Sequence, residues 1–146
     1  STITVPTGKK LVGTDAASIY APGMVVQMVS MPSTQVVRAV TTGTSFVASN
    51  ILNTITPKFS NSKIIARAAT TINNNTNSSE YIAITIYRQI AGGGWGNLRS
   101  GDWGISQLYS ADGRNHVPCI AEVVDAPATT SAVTYKVYFG LFCHQE

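Results

Sequence analysis

The sequence feature that most constrains the fold is a strict two-residue alternation across residues 80–90. One phase is aliphatic and the other is mixed; the two sets are Ile82, Ile84 and Ile86, and Tyr81, Ala83, Thr85 and Tyr87. Successive side chains of a strand point to opposite faces of its sheet. The pattern therefore predicts a β-strand that buries its isoleucines and presents its second face elsewhere.

The last apolar segment, residues 132–143, alternates in the same way but has large side chains in both phases. If Val133, Val137 and their phase face the core, Tyr138 and Phe142 lie on the opposite face. An apolar patch of that kind on a surface usually marks an interface. We therefore expect Tyr138 and Phe142 to form a subunit interface, and a symmetric homo-oligomer is the simplest arrangement that covers them.

Composition supports a β-rich chain. Val and Ile together contribute 27 residues but Leu only five, and 17 Thr and 14 Ser supply the polarity. Charged residues make up 12% of the chain, whereas soluble domains average roughly 25%. This balance excludes a helical bundle or coiled coil. The net charge of +3 is scattered along the chain, which argues against nucleic-acid binding. No apolar run approaches the ~20 residues of a membrane-spanning helix, and no signal peptide is recognisable at Ser1.

Turn residues divide the chain into an extended N-terminal arm, residues 1–23, and one domain, residues 24–146. The arm contains prolines and glycines and lacks a sustained period. Strands are predicted at residues 24–30, 35–41, 45–48, 51–56, 63–72, 80–90, 105–109, 117–125 and 132–143. Short strands separated by polar turns, without a capped helix, predict an all-β fold: an antiparallel β-sandwich, jelly-roll-like and homotrimeric.

The two last predicted strands flank a short loop at residues 126–131. If they form a hairpin, Glu122 lies opposite Lys136 and the two make a cross-strand ion pair. The same register separates Cys119 from Cys143 by four residues, too far for a disulfide. We therefore expect two free, buried thiols, as in a reducing cytoplasm.

The residues that enzymes and metal sites require do not form a recognisable pattern. Two carboxylates that face each other in a groove would be needed for glycoside cleavage, and the spacing of the seven acids suggests none. His116 and His144 lack neighbours at metal-ligand spacing. Nucleophile-elbow and phosphate-loop motifs are missing as well. We expect a protein that is not an enzyme, with no cofactor and no metal.

A glycine-rich stretch, residues 91–104, contains both tryptophans. Aromatic rings give large contact area, and neighbouring polar groups give adaptable hydrogen bonds, as in the contact loops of binding proteins. A flexible linking loop is the alternative interpretation. As a surface-contact loop, fitting a sugar or a protein surface, its candidate residues are Trp95, Asn97, Arg99, Asp102 and Trp103.

Several segments of the chain carry a family resemblance. They are residues 7–15 (TGKKLVGTD), 21–27 (APGMVVQ), 55–58 (ITPK), 62–64 (SKI) and 125–135 (DAPATTSAVTY). In order and spacing they resemble a β-domain of bacteriophage virion surface proteins. This domain occurs in cyanophages and other aquatic phages, at the ends of tail fibres and tailspikes and in capsid decoration proteins. The resemblance implies a trimeric β-sandwich displayed on a virion, without catalytic residues or an obligatory cofactor.

Only about 23 residues precede the first predicted strand, too few for the shaft of a fibre. If the 146 residues are the whole gene product, we therefore expect a trimeric capsid decoration (cement) protein on the capsid exterior, assembled in the host cytoplasm; as part of a longer fibre, they would be its receptor-binding knob. The partners of the decoration protein would be its own copies and the major capsid protein, with an adhesive role toward a host glycan or receptor left open. The receptor-binding knob of a tail fibre or tailspike is the alternative, and a glycan depolymerase is the third. Candidate capsid contacts in the arm are Ile3, Val5, Lys9, Lys10 and Leu11.

Overall fold

The chain forms two antiparallel β-sheets. The structure, a computed structural model, describes residues 4–9, 23–31, 45–74, 80–99, 103–110 and 115–143. Within these ranges the protein is all-β, with seven strands and no helix. The strands are β1 (Val47–Ile55), β2 (Ile64–Asn74), β3 (Glu80–Ile90), β4 (Gly96–Asn97), β5 (Ser106–Ser110), β6 (Asn115–Asp125) and β7 (Val133–Cys143).

The larger sheet has five strands, in the order β1-β7-β3-β4, with β5 also paired to β3. Strands β3 and β7 pair along their whole length, from Glu80 opposite Cys143 to Ile90 opposite Val133. Strands β2 and β6 form the second sheet, in an unbroken register of eleven pairs. The arrangement is consistent with a β-sandwich, which confirms the predicted fold at the level of an all-β chain with antiparallel sheets.

The core consists of the inward phases of both sheets, as the alternation in residues 80–90 predicts. Ile82, Ile84 and Ile86 of β3 are at most 5% exposed. The buried apolar cluster also takes residues from β7 and from the smaller sheet; they are Val133, Tyr135, Val137, Ala66, Ile72, Cys119 and Ala121. Burial of these side chains is the main stabilising contribution to the fold.

A buried ionic contact joins the two sheets beside this core. Arg88 of β3 donates from Nη1 to Asp125 Oδ1 of β6 at 2.7 Å. Tyr135 of β7 donates its hydroxyl to Asp125 Oδ2, also at 2.7 Å. Burial, and then the hydrogen bond to Asp125, raise the pKa of Tyr135 far above its ordinary value. The Asp125 carboxylate therefore links three strands: its own strand β6, β3 through Arg88, and β7 through Tyr135.

Two strand predictions differ from the structure. Residues 24–30 are not part of any β-ladder. The prediction of a first strand at these residues is therefore wrong for one copy of the chain. The predicted strands 45–48 and 51–56 are one strand, β1, whose register shifts between Ala48 and Leu52. Such a bulge interrupts the alternation, which is why one strand looks like two in the sequence. The predicted strand 35–41 lies outside the described residues.

The predicted hairpin between the last two strands is also wrong. Strands β6 and β7 belong to different sheets, so the segment between them crosses from one sheet to the other. Glu122 therefore lies opposite Arg67, with Arg67 Nε and Glu122 Oε2 3.7 Å apart. Lys136 instead lies between Leu52 and Tyr87.

Cys119 is a free, buried cysteine, and its thiol donates to Ser106 Oγ at 2.9 Å. This confirms the prediction of a free thiol at that position, although the hairpin register behind it was wrong. The side chain of Cys143 lies outside the described residues.

Candidate functional site: an aromatic face on the five-stranded sheet

The outward phase of the larger sheet is aromatic. Strands β3 and β7 place Tyr81 opposite Phe142 and Tyr87 opposite Lys136, and Tyr109 of β5 lies opposite Tyr81 on the other side. Eight of the eleven aromatic side chains in the described part of the chain join in ring contacts on this side. We call this surface the aromatic face; its residues are Phe46, Tyr81, Tyr87, Trp95, Trp103, Tyr109, Tyr138 and Phe142.

Trp95, Tyr138 and Tyr87 form one end of the aromatic face. The rings of Tyr87 and Tyr138 stack with centroids 3.9 Å apart, and the Trp95 ring lies 6.2 Å from that of Tyr138. Lys136 Nζ sits 5.0 Å from the centroid of the Trp95 ring, within cation–π range. Burial, and then the neighbouring Tyr87, raise the pKa of Tyr138 above its ordinary value.

The other end is built around Phe142 and Trp103. The Phe142 ring lies 5.2 Å from that of Phe46 and 6.4 Å from that of Trp103. Tyr81 then contacts Trp103 at 5.1 Å and Tyr109 at 4.7 Å. A contact of 6.5 Å between Phe46 and Tyr87 links the two ends. The aromatic face is therefore continuous across the sheet.

Gly140 makes the close packing of these rings possible. It lies on β7 opposite Ala83, so two small residues meet at the middle of the face. A Cβ atom built on Gly140 would lie 2.9 Å from the Phe142 ring and 3.3 Å from that of Phe46. Without a side chain at this position, both rings lie directly over the backbone.

The glycine-rich stretch brings its two tryptophans to this same face. Gly93 donates its N–H to the Ile90 carbonyl at 2.9 Å, which closes the turn before Trp95. Gly104, at a φ of +68°, approaches so close to the Ile84 carbonyl that a Cβ would lie 2.6 Å from it. This approach carries Trp103, which is 52% exposed, onto the edge of the sheet.

Asn97 has an internal contact. Its Oδ1 accepts from Thr85 Oγ1 at 2.7 Å and from the Arg99 N–H at 3.1 Å. The bond from Thr85 fixes Asn97 to β3, and the bond from Arg99 closes a local turn after β4, so this oxygen positions the loop. Arg99 itself is exposed, and Asp102 lies outside the described residues.

The two candidate sites predicted from the sequence, a contact loop and a subunit interface, thus share one surface. Trp95 contacts Tyr138, and Trp103 contacts Phe142. Sequence reasoning missed four members of the aromatic face, which are Phe46, Tyr81, Tyr87 and Tyr109, and it did not place Lys136 beside Trp95. The phase opposite the isoleucines of residues 80–90 contained the signal for Tyr81 and Tyr87.

None of the described carboxylates lies on the aromatic face. Glu80 and Asp125 are buried in the inward phases, and Glu122 is on the outward phase of the other sheet. Lys136 is therefore a cation without an opposing acid on its own face. Among the residues with described side chains, no three His, Cys, Asp or Glu residues are grouped so that they could bind a metal ion.

The outward phase of the smaller sheet is aliphatic and more open. Its large side chains, Ile65, Ile120 and Val124, are 68%, 50% and 62% exposed. Ile65 lies directly opposite Val124, and the Arg67–Glu122 pair separates them from Ile120. We call this surface the aliphatic face.

Of the arm residues predicted to contact the capsid, Val5 and Lys9 are described and both are exposed. The Lys9 N–H donates to the Pro6 carbonyl at 3.0 Å across a turn that contains Gly8. Ile3, Lys10 and Leu11 lie outside the described residues.

No protein-family model matches the chain, and comparison with curated proteins and with solved structures gives no significant match. The described part of the chain also contains no helix that is long and apolar enough to cross a membrane.

Proposed function

We propose that the chain is a structural protein of a phage virion: a homotrimeric capsid decoration protein with a jelly-roll-like sandwich, on the capsid exterior. The sequence resemblance supplies the class of protein. The structural observation that carries the proposal is the continuous aromatic face, which one copy leaves half-exposed. Large, partly exposed rings with none of the described carboxylates beside them are typical of the central part of a protein–protein interface.

In this proposal the aromatic face contacts neighbouring copies. Its rings already pack against one another, so little side-chain freedom is lost when a second surface covers them. Trp103 is the member that a neighbour would cover most, because it is the most exposed. The N-terminal arm, including Val5 and Lys9, contacts the major capsid protein.

Light scattering coupled to size-exclusion chromatography tests the assembly. Trp103→Ser should reduce the trimeric fraction, because it removes a large exposed ring from the face. Phe59→Ser is the matched control, since Phe59 is also exposed but lies between β1 and β2, away from the face. A wild-type protein that stays monomeric at all concentrations would contradict the trimer.

Quantitative mass spectrometry of purified virions tests the location. A copy number comparable with that of the major capsid protein supports decoration, whereas one comparable with tail fibres contradicts it.

The receptor-binding knob of a tail fibre or tailspike is the second candidate function. The observation that favours it is the Trp95 ring with Lys136 Nζ beside it, a combination suited to stacking against a sugar and to holding an acidic group. Binding of labelled protein to host cells, abolished by Trp95→Ala but retained in Phe59→Ser, would support this alternative.

The proposed role is not enzymatic. The Asp125 carboxylate is held by Arg88 and Tyr135, and Glu122 lies beside Arg67 on the opposite side of the molecule. Incubation with host polysaccharide should produce no new reducing ends. Their appearance, at a rate that scales with protein concentration, would overturn this part of the proposal.

A further inference from the structure

Residues 24–30 form a strand-like sequence that has no strand partner in the single copy. The segment reads MVVQMVS, rich in residues that favour strands. Yet it belongs to no ladder, and residues 25–30 make no backbone hydrogen bond to another described residue. Val25 and Met28 are 82% and 85% exposed. Val25 and Met28 are therefore exposed, and the backbone groups of residues 25–30 have no backbone partner among the described residues.

Strand β2 also lacks a partner strand among the described residues, along one of its two edges. It pairs with β6 on one side only, so its other edge is an eleven-residue row of backbone groups without a partner strand among the described residues. Natural edge strands are usually protected by prolines, bulges or short length. Strand β6 contains Pro118, and a bulge interrupts β1. Strand β2 contains neither proline nor glycine.

The position of Pro118 indicates which groups of β2 face this open edge. Pro118 lies opposite Thr71, and a proline within a ladder is placed with its nitrogen directed away from the partner strand. In an antiparallel pair, such a position alternates with hydrogen-bonded ones. Ile65, Arg67 and Ala69, in phase with Thr71, therefore direct their N–H and C=O groups toward the open edge.

The segment of the same copy does not occupy this edge. A groove of about 740 Å³ lies between residues 23–29 and the end of the sandwich, where β1 ends and β2 begins. Of β2, only Ile64 and Ile65 line the groove. The segment thus lies at one end of the molecule, whereas the open edge extends along all of β2.

We propose that residues 24–30 of one copy add as an antiparallel or parallel edge strand onto β2 of a second copy. The added strand would extend the aliphatic face and cover Ile65 with its own apolar side chains. A standard interface needs about 800 Å² from each partner. Here each copy gives a segment and receives one, so both exposed apolar sets are buried in every copy.

Such a contact joins two different surfaces, one on each copy. A heterologous contact closes into a ring when its rotation permits. The inference thus rests on the proposed homotrimer and specifies how its copies are linked, through backbone hydrogen bonds in addition to the aromatic face.

Proline substitutions test the added strand, because proline removes an N–H while these positions lie outside the sheets of the single copy. Consecutive strand residues direct their N–H groups to opposite sides, so either Gln27→Pro or Met28→Pro must remove a bond to β2. We expect at least one of them to convert the trimer to the 15.5 kDa monomer in light scattering. Ser60→Pro is the control: Ser60 lies in an exposed turn closed by the bond from the Ser62 N–H to the Phe59 carbonyl.

Ala69→Pro tests the acceptor edge, with circular dichroism to check that it folds. If the Ala69→Pro variant does not fold, the oligomeric state of Gln27→Pro and Met28→Pro tests the inference instead. If the wild type is trimeric and every proline variant that folds remains so, the inference is overturned and the proposed trimer stands. A monomeric wild type overturns both.

Hydrogen exchange then separates strand addition between copies from pairing within one copy. Alternate amides of residues 25–30, those directed at β2, should be protected in the trimer and exchange freely after dilution to monomer. Protection that persists in the monomer would overturn the inference.

Discussion

The aromatic face and the aliphatic face arise from the same two-residue alternation but have opposite properties. On the five-stranded sheet, the outward rings pack against one another and are mostly half-buried. On the two-stranded sheet, the outward side chains are largely exposed, and one edge of β2 has no partner strand among the described residues. A wide sheet can organise its outer surface alone, whereas a narrow ribbon depends on a further strand or surface for the same purpose.

The largest expected effect on the free energy of unfolding comes from comparing a core-facing isoleucine with one on the aliphatic face. Ile84→Ala should destabilise the protein by about 2–5 kcal/mol, because Ile84 is 1% exposed and its removal leaves a cavity. Ile65→Ala, on the aliphatic face, should change the free energy of unfolding by less than about 0.5 kcal/mol in the monomer. Guanidinium denaturation measures both. Equal losses would show that Ile65 is covered in the isolated copy.

The next effect compares the two ion pairs. Asp125→Asn should cost about 2 kcal/mol, since it weakens the charged contacts of Arg88 and Tyr135 in a mostly buried site. Glu122→Gln should cost less than about 1 kcal/mol, because that pair is more than half exposed. Thermal unfolding at one fixed pH compares them. A larger loss for Glu122→Gln would reverse the ranking of the two contacts.

Gly140→Ala tests how tightly the aromatic face is packed. The added methyl group would meet the Phe142 ring at 2.9 Å, so the ring must move, at a cost of about 1–2 kcal/mol. The near-ultraviolet circular dichroism of the aromatic groups should change as well. Gly94→Ala, where a Cβ meets nothing within 4 Å, should leave the spectrum unaltered. An unaltered Gly140→Ala spectrum would mean that Phe142 does not pack over the glycine.

The smallest effect is a loss of stability in alkali. Tyr135 has its pKa raised above the ordinary value of 10.0 by burial and by its bond to Asp125. The stabilisation that a neutral Tyr135 provides is therefore complete below pH 10 and declines as pH rises toward its folded-state pKa. At half a pH unit above 10 the loss is about 0.8 kcal/mol. The free energy of unfolding, measured by denaturation at neutral pH and at half a unit above pH 10, should fall less in Tyr135→Phe than in wild type. An equal fall in both proteins would show that a group other than Tyr135 causes the loss.

The sequence predicted strands well where the alternation is complete within one segment. The strand predicted at residues 80–90 has the same bounds as β3, and β7 begins one residue later than predicted. The inward phase is apolar in β7 and, in β3, over Ile82, Ile84 and Ile86, so the local pattern and the burial coincide there.

The pairing of strands was not predictable in the same way. A short loop between β6 and β7 suggests a hairpin, yet a link of seven residues, 126–132, also suffices to cross between sheets. Tertiary packing decides between these choices, because each strand needs a different sheet to cover its inward phase. The sequence also did not reveal that Trp95 and Trp103 would lie on the face of Tyr138 and Phe142, since glycines leave the direction of that loop open.

The position of β7 between β1 and β3 has a consequence for how the chain acquires its structure. Ile55 pairs with Val133 and Ile65 with Val124, so the main ladders join residues that are far apart in sequence. Chains dominated by such distant pairings fold slowly, on the millisecond-to-second scale. Strand β7 lies between β1 and β3, so the five-stranded sheet cannot assemble until residues 133–143 are available. During synthesis β1 and β3 therefore remain without their shared neighbour until β7 has left the ribosome.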